Sequence, residues 1–84
     1  MQHQQFREKL DAIHQWPTLY MFKFIVPADK ITEVQAAFPT HETQTQASSK
    51  GKYVSVTVKM MAHSAEDIIE KYQITSQIEG IIAL

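Results

Sequence analysis

Residues 48–52 read Ser-Ser-Lys-Gly-Lys and combine the residue types that bind anions. Lysine ammonium groups attract phosphate, and a glycine allows backbone N–H groups to approach it. A nucleotide-binding phosphate loop also needs a second glycine five residues before Gly51, where this chain has Gln46. It needs Ser or Thr directly after Lys52, where this chain has Tyr53. A helix must follow that loop, whereas the residues that follow here favour a strand. The segment is therefore not a phosphate loop of this kind.

The plain interpretation of residues 48–51 is a β-hairpin turn in which Gly51 supplies a positive φ angle. A weaker functional interpretation is an anion site. Lys50 and Lys52 would then bind the anion beside the exposed hydroxyls of Ser48 and Ser49.

The same segment resembles the start of the RNA-binding motif found in RNA-recognition domains. In those domains the third strand begins with Lys/Arg-Gly, as Lys50-Gly51 does, and carries aromatic side chains that stack on bases. The third, fifth and eighth places of the motif hold Lys52, Val54 and Thr57 here, so the aromatic platform is missing. RNA binding is therefore kept only as a less favoured alternative.

The remaining chemistry-bearing residues show no catalytic or metal-binding spacing. Four histidines stand neither four residues apart on a predicted helix nor two apart on a strand: His3, His14, His41 and His63. The absence of cysteine excludes disulfides, thiolate zinc sites and cysteine nucleophiles, and there is no Gly-x-Ser-x-Gly motif. The sequence predicts a protein without catalytic activity, metal or other cofactor.

Length and composition indicate one globular domain. The chain has 84 residues, 44% hydrophobic and 20% charged, with a net charge of −1. This charge balance argues against a general electrostatic binder of nucleic acid. The N-terminus lacks the basic-then-apolar pattern of a secretion signal, and no apolar run is long enough for a membrane span. We expect a cytoplasmic protein without a membrane partner.

Apolar periodicity and turn residues divide the chain into helices and strands. The predicted elements, in chain order, are a helix at 3–14, a strand at 18–26, a helix at 30–38, strands at 41–47 and 52–61, a helix at 65–76 and a strand at 81–84. Asp29 is predicted to cap the second helix and Pro39 to end it. Ser64 is predicted to cap the third, with Asp67 in its first turn.

Two strands show the strongest patterns, and together they predict the core. Valine alternates with polar residues over 52–61, so one face is buried and the other is more polar. The run at 18–26 is dense in β-favouring residues, and its two faces carry Phe22, Phe24 and Val26 on one side and Met21, Lys23 and Ile25 on the other. The predicted core residues on these strands are Phe22, Phe24, Val26, Val54, Val56 and Val58.

The order of elements predicts an α+β fold. After the first helix it is strand, helix, strand, strand, helix, strand, which with right-handed crossovers gives a ferredoxin-like βαββαβ two-layer sandwich. Its antiparallel sheet has strand order 4-1-3-2. We expect a single domain over 1–84, with 1–16 as an N-terminal helical extension and 17–84 as the ferredoxin-like core.

In such a fold one face of the sheet has no helix of its own. Apolar and polar side chains share it: Met21, Ile25, Tyr53 and Met61 with Lys23, Ser55, Thr57 and Lys59. A half-apolar face of this kind indicates a partner, a second copy or cover by the N-terminal helix more than a small-molecule pocket. The candidate interaction residues are Met21, Lys23, Ser49, Lys50, Lys52 and Tyr53.

Three stretches of the chain resemble the YbeD-like bacterial family, domain of unknown function 493. They are Leu10 to Pro17, the run Tyr20-Met-Phe-Lys-Phe-Ile, and Ser48-Ser-Lys-Gly-Lys-Tyr-Val-Ser-Val-Thr-Val, followed by a helix and a short terminal strand. The resemblance implies a ferredoxin-like domain similar to the amino-acid-binding ACT domains, with no established enzymatic activity. Family members often have glycine after the first strand, where this chain has Val26-Pro27-Ala28, and ACT domains bind their effector there. This departure argues against effector binding at that loop.

We therefore expect a small cytoplasmic regulatory or protein-interaction module that is not an enzyme, forms a homodimer and binds a further protein partner. The first alternative is an ACT-like domain that senses an amino acid or other small anion. It would use the loop after the first strand or the turn at Lys50 and Lys52.

Overall fold

The computed structural model describes residues 3–48 and 50–84. In chain order its elements are α1 (His3–Ile13), β1 (Thr18–Pro27), a 3-10 turn (Ala28–Lys30), α2 (Ile31–Ala37), β2 (Thr43–Ala47), β3 (Tyr53–Ala62), α3 (Ala65–Thr75) and β4 (Ile82–Ala83). Each predicted helix and strand is present, with ends that differ by at most two residues. The largest difference is at the start of β2, and β4 is only two residues long.

The four strands form one antiparallel sheet in the order β2-β3-β1-β4, which is 4-1-3-2 read from the other edge. β1 and β3 pair along their whole length, from Thr18 opposite Ala62 to Pro27 opposite Tyr53. β2 pairs with the outer side of β3, and β4 with the outer side of β1. The fold is the predicted ferredoxin-like arrangement with an additional N-terminal helix.

The core lies between the helices and one face of the sheet. Phe22, Phe24, Val26, Val56 and Val58 are fully buried, as the strand alternation predicted. Each such side chain stabilises the fold by roughly 1.5–3 kcal/mol on burial. The helices contribute further buried side chains, and these are Leu10, Val34, Ala37, Ala65, Ile68 and Ile69.

Helix α1 packs against α3 on the helical side of the sheet. Leu10 is 4% exposed within the core. Phe6 contacts the ring of Tyr72 edge-on, with centroids 5.7 Å apart, and Arg7 forms an ion pair with Glu66. Of the three covers proposed for the open side of the sheet, the N-terminal helix is therefore wrong, because α1 packs through Leu10 and Phe6 on the opposite, helical side.

The predicted cap at Asp29 is also wrong. The N–H of Ala28 donates to the carbonyl oxygen of Lys52 at 2.9 Å, which continues the β1–β3 ladder beyond Pro27. The chain then turns directly into 3-10 geometry, so Asp29 already lies inside a helical turn. Lys30 occupies the cap position of α2, without a side-chain cap hydrogen bond.

The N-terminus of α3 has the predicted cap. The Ser64 hydroxyl accepts a hydrogen bond from the N–H of Asp67 at 3.4 Å. The Asp67 carboxylate in turn accepts one from the N–H of His63 at 2.9 Å. The Ser64 bond satisfies a backbone donor that the first turn of a helix leaves without a partner, and the Asp67 bond fixes the residue before the cap.

The β2–β3 connection is the predicted hairpin turn. Gly51 has a φ of +71°, and its N–H donates to the carbonyl oxygen of Ser48 at 3.0 Å. The N–H of Ser48 donates to the carbonyl oxygen of Tyr53 at 2.9 Å and closes the hairpin. Ser49 lies outside the described residues.

Candidate open-face site

The side of the sheet away from the helices is the main candidate site, and we call it the open face. Side chains alternate along each strand, so the strand register defines its members. They are Leu19, Met21, Lys23 and Ile25 on β1, Gln44 and Gln46 on β2, Tyr53, Ser55, Thr57, Lys59 and Met61 on β3, and Ile82 on β4.

One end of the open face is apolar. Leu19 lies directly opposite Met61 across the β1–β3 ladder, and Met21 is the next open-face residue along β1. These side chains are 59%, 50% and 55% exposed, respectively. Three large apolar side chains that are neighbours and remain half in water are typical of a contact surface.

The other end is a shallow apolar groove. Ile25 pairs with Ile82 of β4, and both lie close to Tyr53. The groove has a volume of about 470 Å³ and extends to Gln46 and Ser48 of the hairpin. Its polar groups are an amide, hydroxyls and backbone, so it offers no charged group for chemistry.

Lysine residues separate the two apolar ends. Lys23 lies opposite Thr57, and Lys59 lies opposite Met21. Neither lysine forms an ion pair within residues 3–48 and 50–84; the ion pairs there are Arg7–Glu66 and Lys30–Glu33.

The carboxylates are all elsewhere. Each of the nine Asp and Glu residues lies in a helix, the 3-10 turn or a connecting segment, and none lies in a strand. The open face is therefore cationic, and the acidic groups belong to the helices and loops.

The structure does not bring the candidate interaction residues into one cluster. Met21, Lys23 and Tyr53 share the open face, whereas Lys50 and Lys52 lie in the exposed hairpin. Met21 pairs with Lys59, which lies six residues along β3 from Tyr53. Met21 and Tyr53 are therefore about 20 Å apart along the sheet. An anion held at the hairpin would not reach the apolar end of the face.

Two apolar members of the open face were missed in the sequence, besides Gln44 and Gln46 of β2. Leu19 alternates with Met21 and could have been assigned from the strand pattern alone. Ile82 could not, because its face depends on the register of a two-residue strand.

A second concave region, which we call the helix-side cleft, lies between α1, α3 and the outer edge of β1. It has a volume of about 640 Å³, and its walls include Phe6, Phe24 and Ile81. The hydroxyls of Tyr20 and Tyr72 are 3.1 Å apart in it. Burial, together with the hydrogen bond to Tyr20, raises the pKa of Tyr72 above its usual value of 10.0.

Among the described residues, the lining of the helix-side cleft includes no Asp, Glu, Lys, Arg or His. In the part of the chain that the structure describes, no three His, Asp or Glu residues are arranged to hold a metal ion. No described helix is long and apolar enough to cross a membrane.

Comparisons with known proteins find relatives of the same length class. The family model described as "Protein of unknown function (DUF493)" matches residues 11–84. A UPF0250 protein of Shewanella loihica is 37% identical over 83 residues, which cover 90% of each chain. A UPF0250 protein of Shewanella piezotolerans is 31% identical over 80 residues, 87% of this chain and 91% of the relative. No solved structure matches the chain significantly.

The family match covers β1, β3, α3 and the hairpin, which are the elements that form the open face and the core beneath it. The chain belongs to the DUF493 family of proteins of unknown function.

Proposed function

We propose that this protein is a non-catalytic association module that binds other protein chains through the open face of its sheet. The observation that carries this proposal is the apolar end, where Leu19, Met21 and Met61 are half exposed beside one another with no helix above them. Burying such side chains at an interface stabilises a complex by roughly 25 cal/mol per Å² of apolar surface removed from water.

The charge distribution favours a partner with acidic side chains. Lys23 and Lys59 supply the charges of the open face, and no carboxylate accompanies them there. A partner that places acidic groups over this pair and apolar groups over Met21 and Met61 would complement the face. A regulatory role in the cytoplasm fits this kind of interaction.

Site-specific photo-crosslinking in cells tests the proposal. A photoreactive side chain at Thr57, in the centre of the open face, should give discrete adducts with protein. The same group at Glu70, exposed on α3, is the matched control and should give few. Equal labelling from both positions, or none from Thr57, would argue against the proposal, and adducts with RNA would favour the RNA-binding alternative.

Charge reversal adds specificity to this experiment. Replacing Lys23 and Lys59 by glutamate should remove the Thr57 adducts, because the acidic partner would meet like charges. Both lysines lie on the open face and form no ion pair within the described residues, so the change is expected to leave the fold intact. Unchanged adducts would show that charge does not select the partner.

The helix-side cleft supports a second candidate function, the sensing of a small molecule. Its apolar walls and the Tyr20–Tyr72 hydroxyl pair fit a small amphipathic ligand. A small anion would instead use the exposed Lys50 and Lys52 of the hairpin. A thermal-shift series with amino acids, nucleotides and phosphate tests both sites, because a ligand of the native state alone raises the melting temperature. The absence of any shift would rule this candidate out for those ligands.

We also propose that residues 1–84 form one domain, in which 1–16 extend a ferredoxin-like core at 17–84. Burial of Leu10 among core side chains and the Phe6–Tyr72 contact support this arrangement. The extension would then stabilise the core, which Leu10 variants can measure.

A further inference from the structure

Two backbone hydrogen bonds show toward which neighbouring strand each residue of β1 directs its backbone N–H and C=O groups. The N–H of Ala28 donates to the carbonyl oxygen of Lys52, so even-numbered residues direct their backbone polar groups toward β3. The N–H of Leu84 donates to the carbonyl oxygen of Lys23 at 2.8 Å, so odd-numbered residues direct theirs toward β4.

β4 is too short to use all of these groups. Its two residues, Ile82–Ala83, pair only with Ile25 and Phe24. In the described part of the chain, no strand pairs with Leu19 or Met21 on this edge. Their N–H and C=O groups therefore form a short open edge next to the apolar end of the open face. Such an edge is a ready template for another strand.

We propose that a second copy of this chain pairs with this edge, antiparallel and around a two-fold axis at Tyr20. Leu19 then lies opposite the partner's Met21, and Met21 opposite the partner's Leu19. Each pair exchanges two backbone hydrogen bonds, and the two sheets join into one. This inference rests on the proposed association function and adds a second contact surface, the outer edge of β1, whose partner is the chain itself.

Only one symmetric register uses both open residues. An axis at Leu19 would place Pro17, which has no N–H, opposite the partner's Met21. An axis at Met21 would place the partner's Leu19 against Lys23, whose carbonyl already accepts from Leu84. The axis at Tyr20 pairs Leu19 with the partner's Met21 and leaves Pro17 opposite the partner's Lys23, so neither conflict falls on an open residue.

Side chains favour this edge over a face-to-face dimer. Stacking two open faces would bring Lys23 and Lys59 against like charges. Edge pairing leaves both open faces on the same side of the joined sheet. It also places Leu19 and Met21 of one copy beside Met21 and Leu19 of the other, so part of the apolar surface of these side chains, which is half exposed in each copy, is covered by the partner.

Sedimentation and amide hydrogen exchange of the full chain test the proposal. The protein should dimerise as its concentration rises, and exchange at the amides of Leu19 and Met21 should slow by at least about tenfold as the dimer forms. The amides of Tyr20 and Phe22 point toward β3 and are the internal controls, with no change expected. A strict monomer, or a dimer that protects other amides instead, would overturn the proposal.

Proline at position 21 is the matching variant. The Met21 N–H is not needed for pairing with β3, so Met21→Pro should fold and remain monomeric. Phe22→Pro would remove a ladder hydrogen bond to β3 and should unfold the domain. If Met21→Pro also fails to fold, the cysteine pair described next replaces it.

The chain contains no cysteine, so introduced thiols report the register directly. A mixture of Leu19→Cys and Met21→Cys proteins should form disulfide heterodimers in excess over homodimers. Opposed Cα atoms of a hydrogen-bonded pair lie about 5.5 Å apart, within disulfide range. Equal amounts of homodimer and heterodimer would contradict the register.

The outcomes also separate this inference from the proposed function. A monomer whose Thr57 position still crosslinks to other proteins would remove the dimer and keep the association module. A protein that dimerises as proposed but gives no adducts from Thr57 would keep the dimer and remove the association module.

Discussion

The carbonyl oxygen of Lys23 accepts a 2.8 Å hydrogen bond from the N–H of Leu84, and at this point the outer edge of β1 changes from paired to open. Toward Pro27 the edge is covered by β4, and toward Thr18 it is not. The open stretch adjoins the apolar end of the open face. An unpaired backbone edge and exposed apolar side chains thus occupy the same corner of the sheet.

Val56 tests the core. It is fully buried on β3, and Val56→Asp should unfold the domain, because an unpaired buried carboxylate costs several kcal/mol against a total stability on the order of 5–10 kcal/mol. Thr57→Asp, one residue along on the open face, should retain a cooperative melt by circular dichroism. A cooperative melt of Val56→Asp close to the parent's would refute the core assignment.

Leu10 tests whether α1 belongs to the core. Leu10→Ala should lower the free energy of unfolding by about 2–4 kcal/mol in urea denaturation, because a buried side chain is lost and a cavity remains. Ile13, 74% exposed on the same helix, is the control, and Ile13→Ala should change stability by less than about 0.5 kcal/mol. Similar small effects at both positions would mean that α1 does not stabilise the fold.

Gly80 and Gly51 should respond differently to alanine. Both have positive φ, +79° and +71°, which costs an L-residue roughly 1–2 kcal/mol. A Cβ at Gly80 would also lie 2.8 Å from the Pro27 Cγ, whereas one at Gly51 would meet nothing within 4 Å. Gly80→Ala should therefore destabilise by about 2–4 kcal/mol and Gly51→Ala by about 1 kcal/mol in urea. Equal losses would show that Pro27 does not confine Gly80.

Tyr72 should make stability fall at high pH. Its pKa is raised in the folded state, first by burial and then by the hydrogen bond to Tyr20. The unfolded chain therefore loses the phenol proton first as pH rises through 10.0, so the contribution is fully present below that pH and declines above it.

Urea denaturation from pH 8.5 to 11.5 measures this decline. Tyr72→Phe should flatten it, and Tyr53→Phe, at an exposed tyrosine, should leave it unchanged. An identical pH profile for the parent and Tyr72→Phe would contradict the assignment to Tyr72.

Local pattern predicted the core and missed features set by distant contacts. Alternation placed Val54, Val56 and Val58 on the buried face, because a strand of period two against a helical layer leaves no other solution. The start of α2 depends instead on the Ala28–Lys52 hydrogen bond, which joins residues 24 positions apart at the ends of β1 and β3. This bond extends the strand pairing, so Asp29 lies in the 3-10 turn and not at a cap position.

The candidate site was predicted in part for the same reason. Strand parity assigned Met21 and Lys23 to the open face, but the distance from Met21 to the hairpin requires the full β1–β3 register. The helix-side cleft depends on Tyr20 and Tyr72, which are 52 residues apart in sequence, and no local motif marks that contact.

The association surface is tested most directly by methionine oxidation. Met21 and Met61 are about half exposed on the open face, whereas Met60, next to Met61 in β3, is 6% exposed and serves as an internal reference. Peroxide oxidation followed by mass spectrometry should modify Met21 and Met61 faster than Met60 in dilute purified protein. In the native cell extract, oxidation at both sites should slow relative to a free methionine standard, and in concentrated protein it should slow at Met21. Unchanged oxidation of Met21 and Met61 under all these conditions would contradict the account, because the open face would then remain bare.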